Sequence, residues 1–336
     1  MRKTQAYGIV LTVLAIGAVV TLIAAPMAGM RVITWPEALR SGPGSPEHAI
    51  FWTIRVPRVC VSFLAGTGLA LCGMAFQAMF RNLLATPFTL GVASGASLGA
   101  ALCLRMGLAF SIAGLSSVTI FAFTGAGLAI LLVYGLGRVR PGMHPTTMLL
   151  AGVAVSFIFS SLILLVQYTS SFTHSFRIVR WLMGSIDVVG FGPAAQTAPF
   201  VLLGSAAILL FSRELNLLMM GDEIALGRGL DPSRARKILF LAVSLTVGGV
   251  VSVCGPIGFV GMMAPHIMRL LVGADHRRLA PATLVFGGVF LTLCDTVART
   301  IIAPVELPVG VITALLGGPF FVWLLVARPS PDSGLF

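Results

Sequence analysis

The chain has 336 residues, of which 57% are hydrophobic and 10% charged, with a formal net charge of +11 and a mean hydropathy of +1.00. Soluble domains carry about 25% charged residues, and here apolar stretches of 18 or more residues recur from end to end, which excludes a soluble globular fold. Backbone groups in lipid must be satisfied within each segment, so runs this apolar read as helices and the chain as an all-α polytopic membrane protein.

The first apolar segment, 7–30, follows Arg2 and Lys3. It is too long for the core of a signal peptide and lacks a clear small-residue cleavage site, so it reads as a retained span. Further spans are expected at 56–80, 90–105, 111–134, 146–168, 194–213, 237–260, 262–273, 281–303 and 308–327, about ten in all. Some are short for a core about 30 Å thick, and their Gly- and Pro-rich joins suggest broken or partly inserted helices. Small residues at helical spacing, such as Gly91, Gly95 and Gly99, let helices approach backbone to backbone.

The excess positive charge is not a nucleic-acid signal, because the basic residues sit at span ends, where they set orientation. With the N- and C-termini in the cytoplasm, 14 of the 22 fall on the cytoplasmic side, among them Arg138, Arg140 and Arg328. The other eight, Arg31, Arg40, Arg55, Arg58, Arg105, Arg177, Arg180 and Arg299, fall outside. That is more outer arginine than orientation requires. One outer segment, 169–191, contains a short amphipathic piece with His174, Arg177 and Arg180, which could meet an anionic ligand or simply lie at the interface.

The longest charged interruption is Glu214–Lys237, with eight charged residues in 24. Leu215, Leu218, Met219, Ile224 and Leu226 have helical spacing broken at Gly221, and Gly227, Gly229 and Pro232 end the pattern. A short amphipathic helix outside the membrane is a surface on which a soluble partner can act. Its basic tail, Arg234 to Lys237, reads as the anchor of the next span.

Chemistry-bearing motifs are sparse. Gly95-Ala-Ser97-Leu-Gly99 matches the nucleophile elbow in letters, but it lies inside an apolar helix instead of a strand-to-helix turn. No P-loop and no H-E-x-x-H occur, so no nucleotide or zinc site is expected. Cys60, Cys72, Cys103, Cys254 and Cys294 are scattered without a CxxC pair and read as free thiols. His48, His144, His174, His266 and His276 are isolated. Asp295 and Arg299 lie four apart, the spacing of an intrahelical ion pair. Arg299 shares the outer side with Arg55 and Arg58, and three arginines there could face lipid headgroups or acidic groups of a soluble partner.

Four blocks carry a family resemblance: Arg55-Val-Pro-Arg58 with the LAGTGLALCGMAFQAMFRNLLATPFTLGVASGASLGA that follows; NLLMMGDEIALGRGL; GPIGFVGMMAPHIMRLLVGADHRRLAPA; and DTVARTIIAPVELPVGVITALLGGPFFVWLL. In this order they resemble the FecCD-type permeases of type II ABC importers for iron-siderophore complexes, haem and cobalamin. The resemblance implies a ten-helix subunit, 1–336 as one transmembrane domain, pairing with a second copy in the bacterial inner membrane. It implies two cytoplasmic ABC ATPases and a periplasmic substrate-binding protein as partners, with no catalytic residue, metal or cofactor on this chain. The implied ATPase-coupling helix comprises Asn216, Gly221, Asp222, Glu223, Ala225, Gly227 and Gly229, within the loop 214–237. Binding-protein docking falls on Arg55, Arg58 and Arg299, and a gate region on Asn82, Leu84 and Pro87. Leu83 stands where the family usually has proline.

The cargo is expected to be an iron chelate or cobalamin. The competing readings are an ion-coupled secondary transporter, which would need buried carboxylates such as Asp295 or Glu306, and an importer of an oxyanion such as molybdate. A membrane enzyme lacks a polar constellation.

Overall fold

The computed structural model describes residues 2–42, 44–112, 114–137 and 145–327; Arg138, Arg140, His144 and Arg328 lie outside the described residues. The chain is helical almost throughout, in the order α1 (Arg2–Ala24), α2 (Trp35–Arg40), α3 (Pro46–Ala49), α4 (Val56–Phe80), α5 (Val92–Arg105), α6 (Ser117–Gly137), α7 (Pro145–Tyr168), α8 (Phe172–Leu182), α9 (Gly192–Leu210), α10 (Ser212–Met220), α11 (Asp222–Gly227), α12 (Pro232–Cys254), α13 (Val260–Val272), α14 (His276–Ala298) and α15 (Val309–Ala327). Among the described residues, α1, α4, α6, α7, α9, α12 and α14 are long and apolar enough to cross a membrane, and α5, α13 and α15 supply three shorter apolar helices.

These helices fall where the apolar segments predict spans, with boundaries moved by local chemistry. The segment expected at 111–134 opens instead with a small antiparallel hairpin, Ser111–Ile112 against Leu115–Ser116, and the helix starts at Ser117. Gly114 takes φ +80° there, a conformation that suits glycine in a tight turn. The seventh span begins five residues early because Asp231 caps it: its carboxylate accepts from the N–H groups of Ser233 and Arg234, and Pro232 occupies the first turn. The ninth begins at His276 because Asp275 caps it in the same way.

The N-terminal entry to α4 is a π-helical turn, Ile50–Arg55, preceding Pro57. Proline has no N–H to offer the Thr53 carbonyl, and that carbonyl accepts instead from Gly190 N–H at 2.7 Å. The turn is packed under a small cluster of Ile33, Ala38 and Phe51 backed by Trp35 and Trp52.

Helix α4 is the central column. In its most apolar stretch 83% of residues are buried, against 17% in α1 at the periphery. Glycines set how closely its neighbours approach. A Cβ at Gly66 would overlap the Gly287 carbonyl of α14, and one at Gly73 would overlap the Gly261 carbonyl of α13. Gly95 and Gly99 meet α6 at Gly125 and Phe121 in the same manner, and Ser97 between them lies inside a continuous helix, not at a strand-to-helix turn. Large apolar side chains such as Ile9, Val13, Leu131, Phe157 and Leu203 cover the outside, where lipid is their natural solvent.

Gly73→Val forces α4 and α13 apart and should destabilise the fold by about 3 kcal/mol, the upper range for overpacking. Thermal melting in detergent with size-exclusion analysis checks this; an unchanged transition would contradict the crossing.

Candidate functional site

Polar side chains concentrate at the two ends of α14. At its C-terminal end Asp295 has a side chain only 1% exposed, and Arg58 of α4 one only 7% exposed. Arg58 Nε donates to both Asp295 oxygens at 3.1 and 3.0 Å, and its Nη2 donates to Oδ1 at 3.0 Å. Its Nη1 donates to Glu306 Oε2 at 2.6 Å on the exposed loop before α15. Two planar forks of this kind satisfy a buried charge that would otherwise be costly.

The two arginines grouped with Arg58, Arg55 and Arg299, are also buried. Arg55 donates to the carbonyls of Pro26, Met27 and Arg31. Arg299 donates to the Ala25 carbonyl and to Thr296 Oγ1. The sequence spacing suggests an Asp295–Arg299 pair within one helix; among the described residues Asp295 is instead bridged to Arg58 on another helix, and Arg299 turns to the end of α1. The reason is geometric: the α4–α14 glycine crossing brings Arg58 close enough to offer a fork, whereas Arg299 lies beyond the last turn of α14. The three arginines thus tie α1, α4, α14 and the loop before α15 together.

At the other end, α10, Gly221 and α11 form the segment expected to be amphipathic. Leu215, Leu218 and Ala225 are fully buried. Glu223, Gly227 and Gly229 are exposed, with Met220, Ile224 and Leu226 presenting apolar surface beside them. Gly221 and Gly229 take φ +113° and +80°, which breaks the segment into separate turns. Asn216 is the tie to the bundle. Its Nδ2 donates to Asp275 Oδ1 at 2.7 Å, and its Oδ1 lies 3.0 Å from His276 N and 2.7 Å from the His276 ring. Desolvation opposes charge on Asp275, but the bonds from Asn216 and Arg277 N–H and the nearby Arg277 and Arg278 charges hold its carboxyl below the usual carboxylate range.

Arg236 is a second tie that pattern reading misses. It is 2% exposed and grips Asp222 with both Nη atoms, so it fastens α11 to α12 and does not serve as an interfacial anchor. Its neighbours Ala235, Leu239 and Phe240 are buried on the same helix face, which is the available sequence signal. The turn after α4 lies close by. Arg81 takes a left-handed conformation, and a Cβ on Gly221 would touch its Nη1. Asn82 Oδ1 accepts from Leu84 N–H at 2.9 Å, Leu84 is exposed, and Pro87 opens a short 3₁₀ turn. This side-chain turn shapes the loop around Leu83.

On α8, Arg180 pairs with Asp187 at 3.1 Å, Arg177 is exposed and His174 is half-buried. Near this helix a groove of about 450 Å³ runs along α5 and α7. Ser94, Ser97, Ser156, Ser160 and Gln167 line it among apolar residues, with no ionisable side chain in the lining.

A many-helix bundle with seven helices long and apolar enough to cross a membrane defines a multi-pass membrane protein. The comparisons specify which kind. The chain matches the FecCD transport family over residues 11–327 and belongs to it. It is 36% identical to the hemin transport system permease of Yersinia pestis over 286 residues, covering 85% of each chain. It is 38% identical to the cobalamin import system permease of Halobacterium salinarum over 303 residues, 88% of this chain and 78% of that one. The Fe(3+)-citrate import system permease of Bacillus subtilis is 37% identical over 281 residues, 84% and 82% of the two chains. A solved inward-facing transporter described as of the metal-chelate ABC type superposes with a TM-score of 0.84 at 30% identity, covering 95% of this chain and 99% of that one. The chain is therefore a transport subunit of the ABC permease class.

Asp295→Ala leaves Arg58 partly unpaired in the interior and should cost about 3–5 kcal/mol, whereas Arg58→Met with Asp295→Leu should recover most of it. Thermal melting of the two variants decides; equal losses would show that the pair is not a coupled unit.

Proposed function

We propose that this chain is the permease of an ATP-driven importer that moves an iron chelate (siderophore or haem) or cobalamin from the periplasmic side into the cytoplasm. In this reading the whole chain works as one transmembrane domain with its termini in the cytoplasm. It pairs with a second copy and carries two ATPase subunits on the segment 214–237. A soluble binding protein docks on the outer face around Arg55, Arg58 and Arg299, and His174, Arg177 and Arg180 stand near the cargo's entry. The turn Asn82–Pro87 lies near the inner gate.

One observation carries the coupling role. The α11 surface is exposed and partly apolar, yet Asn216 and Arg236 clamp its two flanks to α14 and α12. A motor pressing on such a surface moves helices instead of bending a loose loop. The groove along α5 and α7 supports a cargo whose metal is already enclosed, since its lining offers neutral hydroxyl and amide groups but neither a carboxylate, imidazole or thiolate for a bare transition-metal ion nor a cationic side chain for an oxyanion. Asp295, the acid an ion-coupled transporter would use, is already committed to Arg58.

Glu223→Lys or Gly221→Val should leave ATP hydrolysis by the assembled complex within about two-fold while lowering cargo uptake by about 10-fold or more, a coupling loss of roughly 1.4 kcal/mol or greater. Parallel hydrolysis and uptake assays read this out. Normal uptake in both variants would remove the coupling role from α11.

A further inference from the structure

Arg58 divides its fork between two acids of different character. Asp295 is enclosed, with 1% of its side chain exposed, whereas Glu306 is 50% exposed and takes the one remaining nitrogen, Nη1, at 2.6 Å. The backbone around Glu306 is fixed independently of that contact: Leu307 N–H donates to the Ala298 carbonyl and Val305 N–H to the Ile302 carbonyl, each at 3.0 Å. The carboxylate can therefore leave Arg58 by side-chain rotation while the loop stays in place. Ile301, Ile302 and Val305 are exposed around it, an apolar surround of the sort that shields a charge contact from water at an interface. Arg55 and Arg299 offer no such exchange, because their hydrogen-bond partners are backbone carbonyls and, for Arg299, the Thr296 hydroxyl, with no carboxylate among them.

We propose that Glu306 is a resident stand-in for a partner's carboxylate: it holds Arg58 in the free permease and gives way to an acidic side chain of the docking protein. The inference rests on the docking reading above and adds what controls it. Exchange of one carboxylate for another keeps Arg58 paired throughout, so no buried charge is stranded. The effect falls mainly on how fast the partner engages, as expected for a charge at the edge of an interface.

The test uses the assembled transporter in nanodiscs, with the soluble protein that supports uptake through it as the probe. Glu306→Ala should raise the association rate about five-fold at an ionic strength of about 0.1 M, Glu306→Gln should give a smaller gain, and both gains should shrink near 1 M. Glu47→Gln removes an equal charge from the segment before α4, where Glu47 pairs with Arg31, and controls for net charge. Glu306 variants that do no better than Glu47→Gln overturn the exchange. Arg58→Gln with Asp295→Asn removes the buried pair without stranding either charge and tests the docking reading separately. Binding lost in that variant while the Glu306 variants behave as wild type refutes the exchange alone; binding kept in it refutes docking at Arg58, and the exchange with it.

Discussion

The structure depends most on one buried contact, the Arg58 fork on Asp295. Removing two full charges from water is expensive, and only close, multiply bonded geometry offsets the cost. That geometry requires α4 and α14 to cross at a fixed distance, which the Gly66–Gly287 approach sets. The same pair then organises what surrounds it. Arg58 reaches onward to Glu306, while Arg299, released from Asp295, holds the end of α1. Arg55 completes the knot through the carbonyls that follow α1.

Helix α14 gives this knot its functional interest. Its 23 residues span about 34 Å, with Asp295 at one end and the Asp275–His276 tie to Asn216 at the other. The charge knot and the exposed α10–α11 segment are thus joined to opposite ends of a single helix. The α10–α11 segment is bonded to the start of α14 through the Asn216 side-chain amide, engaged on both its atoms, and to α12 through the Arg236–Asp222 fork. An importer needs this kind of linkage, because the power source and the delivery of cargo lie on opposite sides of the membrane.

Much of this was legible in the sequence. Apolar run length located the spans, because lipid leaves no alternative to helices. The Gly221 break, the stop at Gly227, Gly229 and Pro232 and the spacing of Leu215 and Leu218 outlined the charged segment, whereas the Asp231 cap, which starts the next span at Pro232, was not read. Partners of buried charges were not legible. Four-residue spacing pointed Asp295 to Arg299, yet a residue 237 positions away supplies its partner. Arg236 looked like a membrane-edge cation and is an interior clamp. Both errors have one cause: helical periodicity reports which face a residue occupies, while charge pairing is settled by which helices meet, and for Asp295 the glycine contact between α4 and α14 decides that.

The most direct measurement of the central claim is cargo uptake into proteoliposomes holding the assembled complex, with ATP supplied on the side bearing α11. The account predicts accumulation of an intact ferric chelate or cobalamin that requires both ATP and the soluble binding protein. Uptake that proceeds without ATP and follows an imposed proton or sodium gradient would contradict it.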